Sequence, residues 1–207
     1  MRRNYSPEVQ DIFVQFGHAY RRLYGNSMPY RHLRAMHAIE ICRTASLGGH
    51  VERCDTCNNI RITYNSCRNR HCPKCQFLRK EKWVEDRMQD LLPIPYFHVV
   101  FTIPYELNAI TLRNQKVVYN ILFRSAAETL KTLSCDPVYS YGRIGFICVL
   151  HTWGQNLMDH PHLHCIVTGG GLSDDDTTWI PCKKDFLFPV SVMSRLFRGK
   201  FLAYLVE

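Results

Sequence analysis

The stretch His160-Pro161-His162-Leu163-His164-Cys165-Ile166-Val167 decides how the second half of this chain is built. On a strand, successive side chains point to opposite faces. His162 and His164 then share one face, about 7 Å apart along the backbone. Leu163, Cys165 and Val167 share the other. The apolar set predicts a core beneath the strand, and the histidine set predicts an open floor above it. Two imidazoles leaning from one floor can hold a single divalent cation. Gly169-Gly170-Gly171 ends the strand and lets a substrate backbone approach closely. An alternating histidine pair is also ordinary strand surface, so the rest of the chain has to add weight.

Working outward, residues 96–103 read as a buried strand closed by Pro104, and residues 143–152 as another. Between them lies one long helix, roughly 106–133, with Leu107, Ile110, Val117, Ile121 and Leu130 inward. Residues 179–188 suggest an edge strand, demoted by Pro181. From Val190 a last helix turns Met193, Leu196, Phe197, Phe201 and Leu205 inward. Strands interrupted by one long helix predict an α+β architecture. A third metal ligand beside His162 and His164 is expected. Gln155, Asp159 and His160 are nearest in sequence, while His98 and His151 read as plain strand residues. Asp174-Asp175-Asp176 reads as a solvated hairpin tip.

The first half follows a different logic. Ser6-Pro7 predicts a helix start, and Val9, Ile12, Phe13, Phe16, Tyr20 and Leu23 recur at helical spacing. A second helix is expected over 30–45 with Leu33, Met36 and Ile39 inward, and a third over 76–92 with Phe77, Val84, Met88 and Leu91 on one face. Pro93 and Pro95 mark a boundary, giving domains 1–93 and 94–207. Residues 50–75 show neither helical nor strand period, so something other than a core must fold them. Cys54-x2-Cys57, then fourteen residues, then Cys72-x2-Cys75 supplies four thiolates at the spacing of a tetrahedral zinc site. The ion would replace the missing core. Cys67, His71, His50 and Cys42 remain as ligands for a second zinc, and spacing alone leaves exchange between the two sets open.

Of the chain's net charge of +8, residues 1–92 hold +7, so an anion-binding surface belongs to the first half. Arg53, Arg61, Arg68, Arg70, Lys74, Arg79 and Lys80 are the candidates for phosphate contact, with Tyr64 and Trp83 among them. No apolar run reaches the ~18 residues of a membrane helix. No apolar segment follows the positive N-terminus, so no secretory signal and no membrane partner are predicted. Ten cysteines without an export signal point to a reducing, cytoplasmic compartment, where clustered thiols hold metal.

Three segments together resemble a known family. Asn65-Ser66-Cys67-Arg68-Asn69-Arg70-His71-Cys72-Pro73-Lys74-Cys75-Gln76 is similar to the zinc module of rolling-circle insertion-sequence transposases of bacteria. Phe97-His98-Val99-Val100-Phe101-Thr102-Ile103-Pro104 resembles the first strand of their catalytic domain. Thr152-Trp153-Gly154-Gln155-Asn156-Leu157 with His160–Cys165 resembles their histidine-hydrophobe-histidine (HUH) motif. The resemblance implies an N-terminal helical zinc-binding module, then an HUH-type antiparallel sheet with helices packed on one face. It implies single-stranded or hairpin DNA as partner, no small-molecule substrate, structural Zn2+, and Mg2+ or Mn2+ at His162 and His164. A tyrosine of that family attacks the scissile phosphate and forms a 5′-phosphotyrosine. Its Tyr-x3-Tyr pair is expected beyond Glu207, so a chain cut before its nucleophile is predicted, and Tyr204 is not expected to serve. Two other readings stay open: a non-catalytic zinc DNA-binding remnant, and a rolling-circle replication initiator or relaxase.

Overall fold

The structure is a computed structural model, and it describes residues 6–156, 158–183 and 186–207. Leu157 of the quoted motif lies outside the described residues. The chain divides into two compact units, one ending at Leu91 and one beginning at Leu92.

In the first unit, α1 (Val9–Tyr24) and α2 (Tyr30–Glu40) pack on each other. The Asp11 carboxylate accepts the Glu8 backbone N–H (2.7 Å) and closes the start of α1. Gln10 Nε2 donates to the Glu40 and Cys42 carbonyls (2.8 Å each), satisfying groups that the end of α2 leaves open. Arg21 pairs with Glu40 (2.5 Å). The hairpin β1 (Gly49–Arg53) and β2 (Ile60–Tyr64) follows, then α3 (Pro73–Gln89), which starts with Pro at its first turn.

Two expectations fail here. Residues 50–75 contain that hairpin, which shows no inside–outside alternation because nothing covers it: β1 is exposed throughout and β2 nearly so. The apolar faces expected on the first and third helices are also uncovered. Ile12, Phe16, Tyr20 and Leu23 on α1 and Phe77, Met88 and Leu91 near α3 face outward within this unit. Among the described residues the buried cluster is Ile39, Cys42 and Cys72, with Phe13, Cys67 and Cys75 against it, and Met36 is buried beside it on α2. α2 does turn Met36 and Ile39 inward, but a core that small cannot receive the apolar faces of α1 and α3 as well.

The second unit is built on an antiparallel sheet in the order β3 (Tyr96–Thr102), β5 (Asp159–Leu172), β4 (Arg143–Trp153), with β6 (Trp179–Pro181) on the far end of β5. Helices α4 (Asn108–Arg113), α5 (Gln115–Ser134) and α6 (Val190–Val206) complete it. Val99, Phe101, Leu163, Cys165 and Val167 point from the sheet into one core with Val118, Leu122, Ala126, Leu130, Phe197 and Phe201. Leu163, Cys165 and Val167 are fully buried. Burying a Leu or Val side chain contributes about 1.5–3 kcal/mol, so this alternation fixes which face of β5 is covered.

The predicted single helix over 106–133 is two. The backbone breaks at Asn114, whose amide side chain bonds back to the Ile110 carbonyl (3.1 Å). The break shifts the helical phase, so Val118 and Leu122 are buried, while the expected Ile110 and Val117 are exposed. No helix among the described residues is long and apolar enough to cross a membrane.

Candidate metal centres

The first centre is made of thiols. Cys42, Cys67, Cys72 and Cys75 bring their sulfurs within 4.8 Å of one another. Cys42 follows the end of α2, Cys67 lies in the segment after β2, and Cys72 and Cys75 frame the first turn of α3. The Cys42–Cys75 and Cys67–Cys75 sulfur separations are both 3.6 Å. A tetrahedron with Zn–S bonds of ~2.3 Å has edges of about 3.8 Å, so the quartet fits the ion.

Burial pushes the Cys42 and Cys67 thiols up. Burial also opposes ionisation of Cys75, but hydrogen bonds from Cys67 and Cys42 outweigh it and bring that thiol down to about 7. One sulfur is thus held ready to ionise among three others, as expected of four thiols crowded where a cation belongs.

This quartet corrects the predicted grouping. Cys72 and Cys75 are joined by Cys42 and Cys67, not by Cys54 and Cys57. Those two sit exposed in the β1–β2 turn, which Asn58 closes at a φ of 56°. The proposed second set of Cys67, His71, His50 and Cys42 is also divided. His50 pairs with Glu52 on β1 (3.4 Å), and His71 Nε2 accepts from Arg70 (3.2 Å). Spacing along the chain could not show that Gln10 of α1 holds the end of α2, and with it Cys42, at this place.

Arg53, Arg61, Arg68, Arg70, Arg79 and Lys80 are exposed on the same unit. Lys74 differs: its ammonium pairs with Glu8 (2.5 Å) and donates to Gln10 (2.7 Å), so its charge is already met.

The second centre lies on the sheet face opposite the core. His151, His162 and His164 bring ring nitrogens within 4.8 Å of one another. His162 Nδ1 is 2.6 Å from the His160 carbonyl oxygen. A carbonyl only accepts, so Nδ1 carries the proton and Nε2 keeps its lone pair. That lone pair faces His164 Nε2 at 2.9 Å. Two nitrogens bound at ~2.1 Å on adjacent corners of an octahedron lie about 3.0 Å apart, which the pair matches. Burial, then the neighbouring His151, His162 and His98 rings, hold His164 below its ordinary value, in the neutral form a metal requires.

The third ring is one that sequence reading passed over. His151 stands directly across from His162 in the β4–β5 register, and Trp153 stacks on it (centroids 5.0 Å, 11°). Gln155 instead lies beyond the end of β4 and lines an open pocket of about 790 Å3 with Tyr105, Asn108, Asp159 and His160. The missed signal was a histidine on each neighbouring strand, which only the register turns into a cluster. Tyr204 is bound to α5: its hydroxyl donates to Glu128, and Arg124 covers its ring at 3.7 Å. It belongs to the helical layer and not to the histidine face.

A cysteine quartet in a small helical unit, followed by an antiparallel sheet with a histidine cluster on its open face, defines a class in which a zinc-suited unit precedes a histidine-bearing sheet. Comparison with known proteins makes the class specific. Residues 12–103 match the family described as "Transposase zinc-binding domain", and residues 145–207 match one described as "Putative transposase". The protein "Putative transposase y4qJ" of Sinorhizobium fredii is 56% identical over 199 residues, covering 96% of this chain and 50% of that protein. The "Transposase for insertion sequence element IS801" of Pseudomonas savastanoi pv. phaseolicola is 33% identical over 144 residues, covering 67% of this chain and 33% of that protein. No solved structure matches the chain. The chain belongs to the IS91-type insertion-sequence transposases, with the zinc-binding domain of that family at its N-terminal side. It spans half the length of the first relative and a third of the second.

Proposed function

We propose that this chain binds single-stranded DNA and holds a divalent cation for breaking and rejoining a phosphodiester during transposition. One observation carries the reading. The ring nitrogens of His151, His162 and His164 converge on the uncovered face of the sheet, with His162 and His164 2.9 Å apart.

In this reading, zinc at Cys42, Cys67, Cys72 and Cys75 folds the first unit and presents Arg53, Arg61, Arg68, Arg70, Arg79 and Lys80 to phosphates. Exposed Trp153, stacked on His151, offers an unpaired base a flat platform, which favours a single strand over a duplex. His162 and His164 hold Mg2+ or Mn2+, with His151 as the third protein ligand in place of Gln155. Such an ion polarises the phosphate and stabilises the leaving 3′ oxygen. The attacking hydroxyl is assigned to none of the tyrosines here, and Tyr204 is already engaged by Glu128.

The test uses zinc-loaded chain, a labelled single strand and Mn2+. Wild type is expected to take up one Mn2+ and bind the strand. His162→Ala with His164→Ala is expected to lose Mn2+ and keep DNA. Retention of Mn2+ by the double variant refutes the histidine centre. Loss of DNA binding as well, with the fold intact by circular dichroism, refutes the basic residues of the first unit as the main anchor of the strand.

A further inference from the structure

Behind the histidine centre stands a fourth ring. His98 lies on β3, on the open face, and its Nε2 is 2.7 Å from His164 Nδ1. The two rings lie edge to edge and close to coplanar, centroids 4.9 Å apart and 10° from parallel. His98 thus touches the nitrogen of His164 that points away from His162.

If His164 binds the ion through the Nε2 that faces His162, its remaining proton lies on Nδ1, and His98 Nε2 stands where it would accept that proton and hold the ring in its binding orientation.

The geometry points to His98 as the positioning residue of the metal centre, the partner that holds His164 by its far nitrogen. This rests on the reading of His162 and His164 as ligands. Groups that orient a metal-bound imidazole through its far nitrogen typically change metal affinity 10–100-fold when removed.

Two substitutions separate this role from packing. His98→Phe keeps an aromatic ring at the position and deletes both donor and acceptor. His98→Gln loses the ring, but its amide can present either a donor or an acceptor near the Nε2 position. In Mn2+ titrations of the zinc-loaded full chain followed by electron paramagnetic resonance, we expect Phe to weaken binding about 10–100-fold and Gln to stay close to wild type. If Phe binds like wild type, or both fall alike, the assignment is overturned. A second readout needs no variant. In 15N spectra of the Mg2+-loaded wild-type chain, a proton on His164 Nδ1 hydrogen-bonded to His98 Nε2 is expected. Its absence overturns the assignment. If the wild-type chain takes up neither Mn2+ nor Mg2+, the metal reading itself falls; if it binds metal and the variants break the pattern, only the role of His98 does.

Discussion

At the scale of single residues, the thiol quartet shows how far spacing can be trusted. Cys-x2-Cys repeated twice is a strong zinc signature, yet the structure uses only the second pair with Cys42 and Cys67. Cys42 is wholly buried against Ile39 and Cys72, whereas Cys54 and Cys57 are exposed. Spacing revealed that the chain binds metal, but not that the fold brings in a cysteine from the end of α2, since that contact depends on packing with α1. The consequence can be measured. Cys42→Ser is expected to lower bound zinc and unfold the first unit, because it removes a ligand from a buried site. Cys54→Ser with Cys57→Ser is expected to leave the quartet's ion and the helical circular dichroism unchanged. Equal loss of helix in both variants would show that the hairpin thiols serve the same ion.

At the scale of elements, β5 was legible and its neighbours only in part. Its alternation predicted a buried face and an open one because a real core exists to enforce the difference. The β1–β2 hairpin was invisible for the opposite reason: with both faces exposed, Val51 and Ile62 give no period. The histidine centre falls between these cases. His162 and His164 were readable within one strand. His151 and His98 became part of the centre only through register, which places His151 across from His162 and Val100 across from His164. The two faces of β5 should therefore respond differently to substitution. Leu163→Ala opens a cavity beneath the sheet and is expected to cost about 2–5 kcal/mol in urea unfolding, with Mn2+ affinity largely kept. If Leu163→Ala abolishes Mn2+ binding at temperatures where the protein stays folded, the two faces are not independent.

At the scale of the whole molecule, the two units rest on different kinds of cohesion. The second buries sixteen residues in one continuous apolar cluster joining sheet and helices. Among its described residues the first buries four hydrophobic side chains, Met36, Ile39, Cys42 and Cys72, and leaves most of its apolar helix residues exposed. An apolar core needs no ion, but a fold whose centre is four thiols loses its cross-links when the ion leaves. The thiols then reprotonate, most readily those that burial already keeps neutral, Cys42 and Cys67. Chelation of the full chain should therefore act unevenly. With a strong zinc chelator and dilute protease, we expect cleavage to begin across residues 6–91 while a fragment from about residue 92 survives, and zinc to restore resistance. Amide hydrogen exchange should show the same division, with α1, α2 and α3 losing protection and β3, β4, β5 and α5 keeping theirs. Simultaneous loss of protection in both halves would mean that the sheet unit borrows stability from the zinc-dependent one, and that its own core is too weak to hold the histidine floor in register.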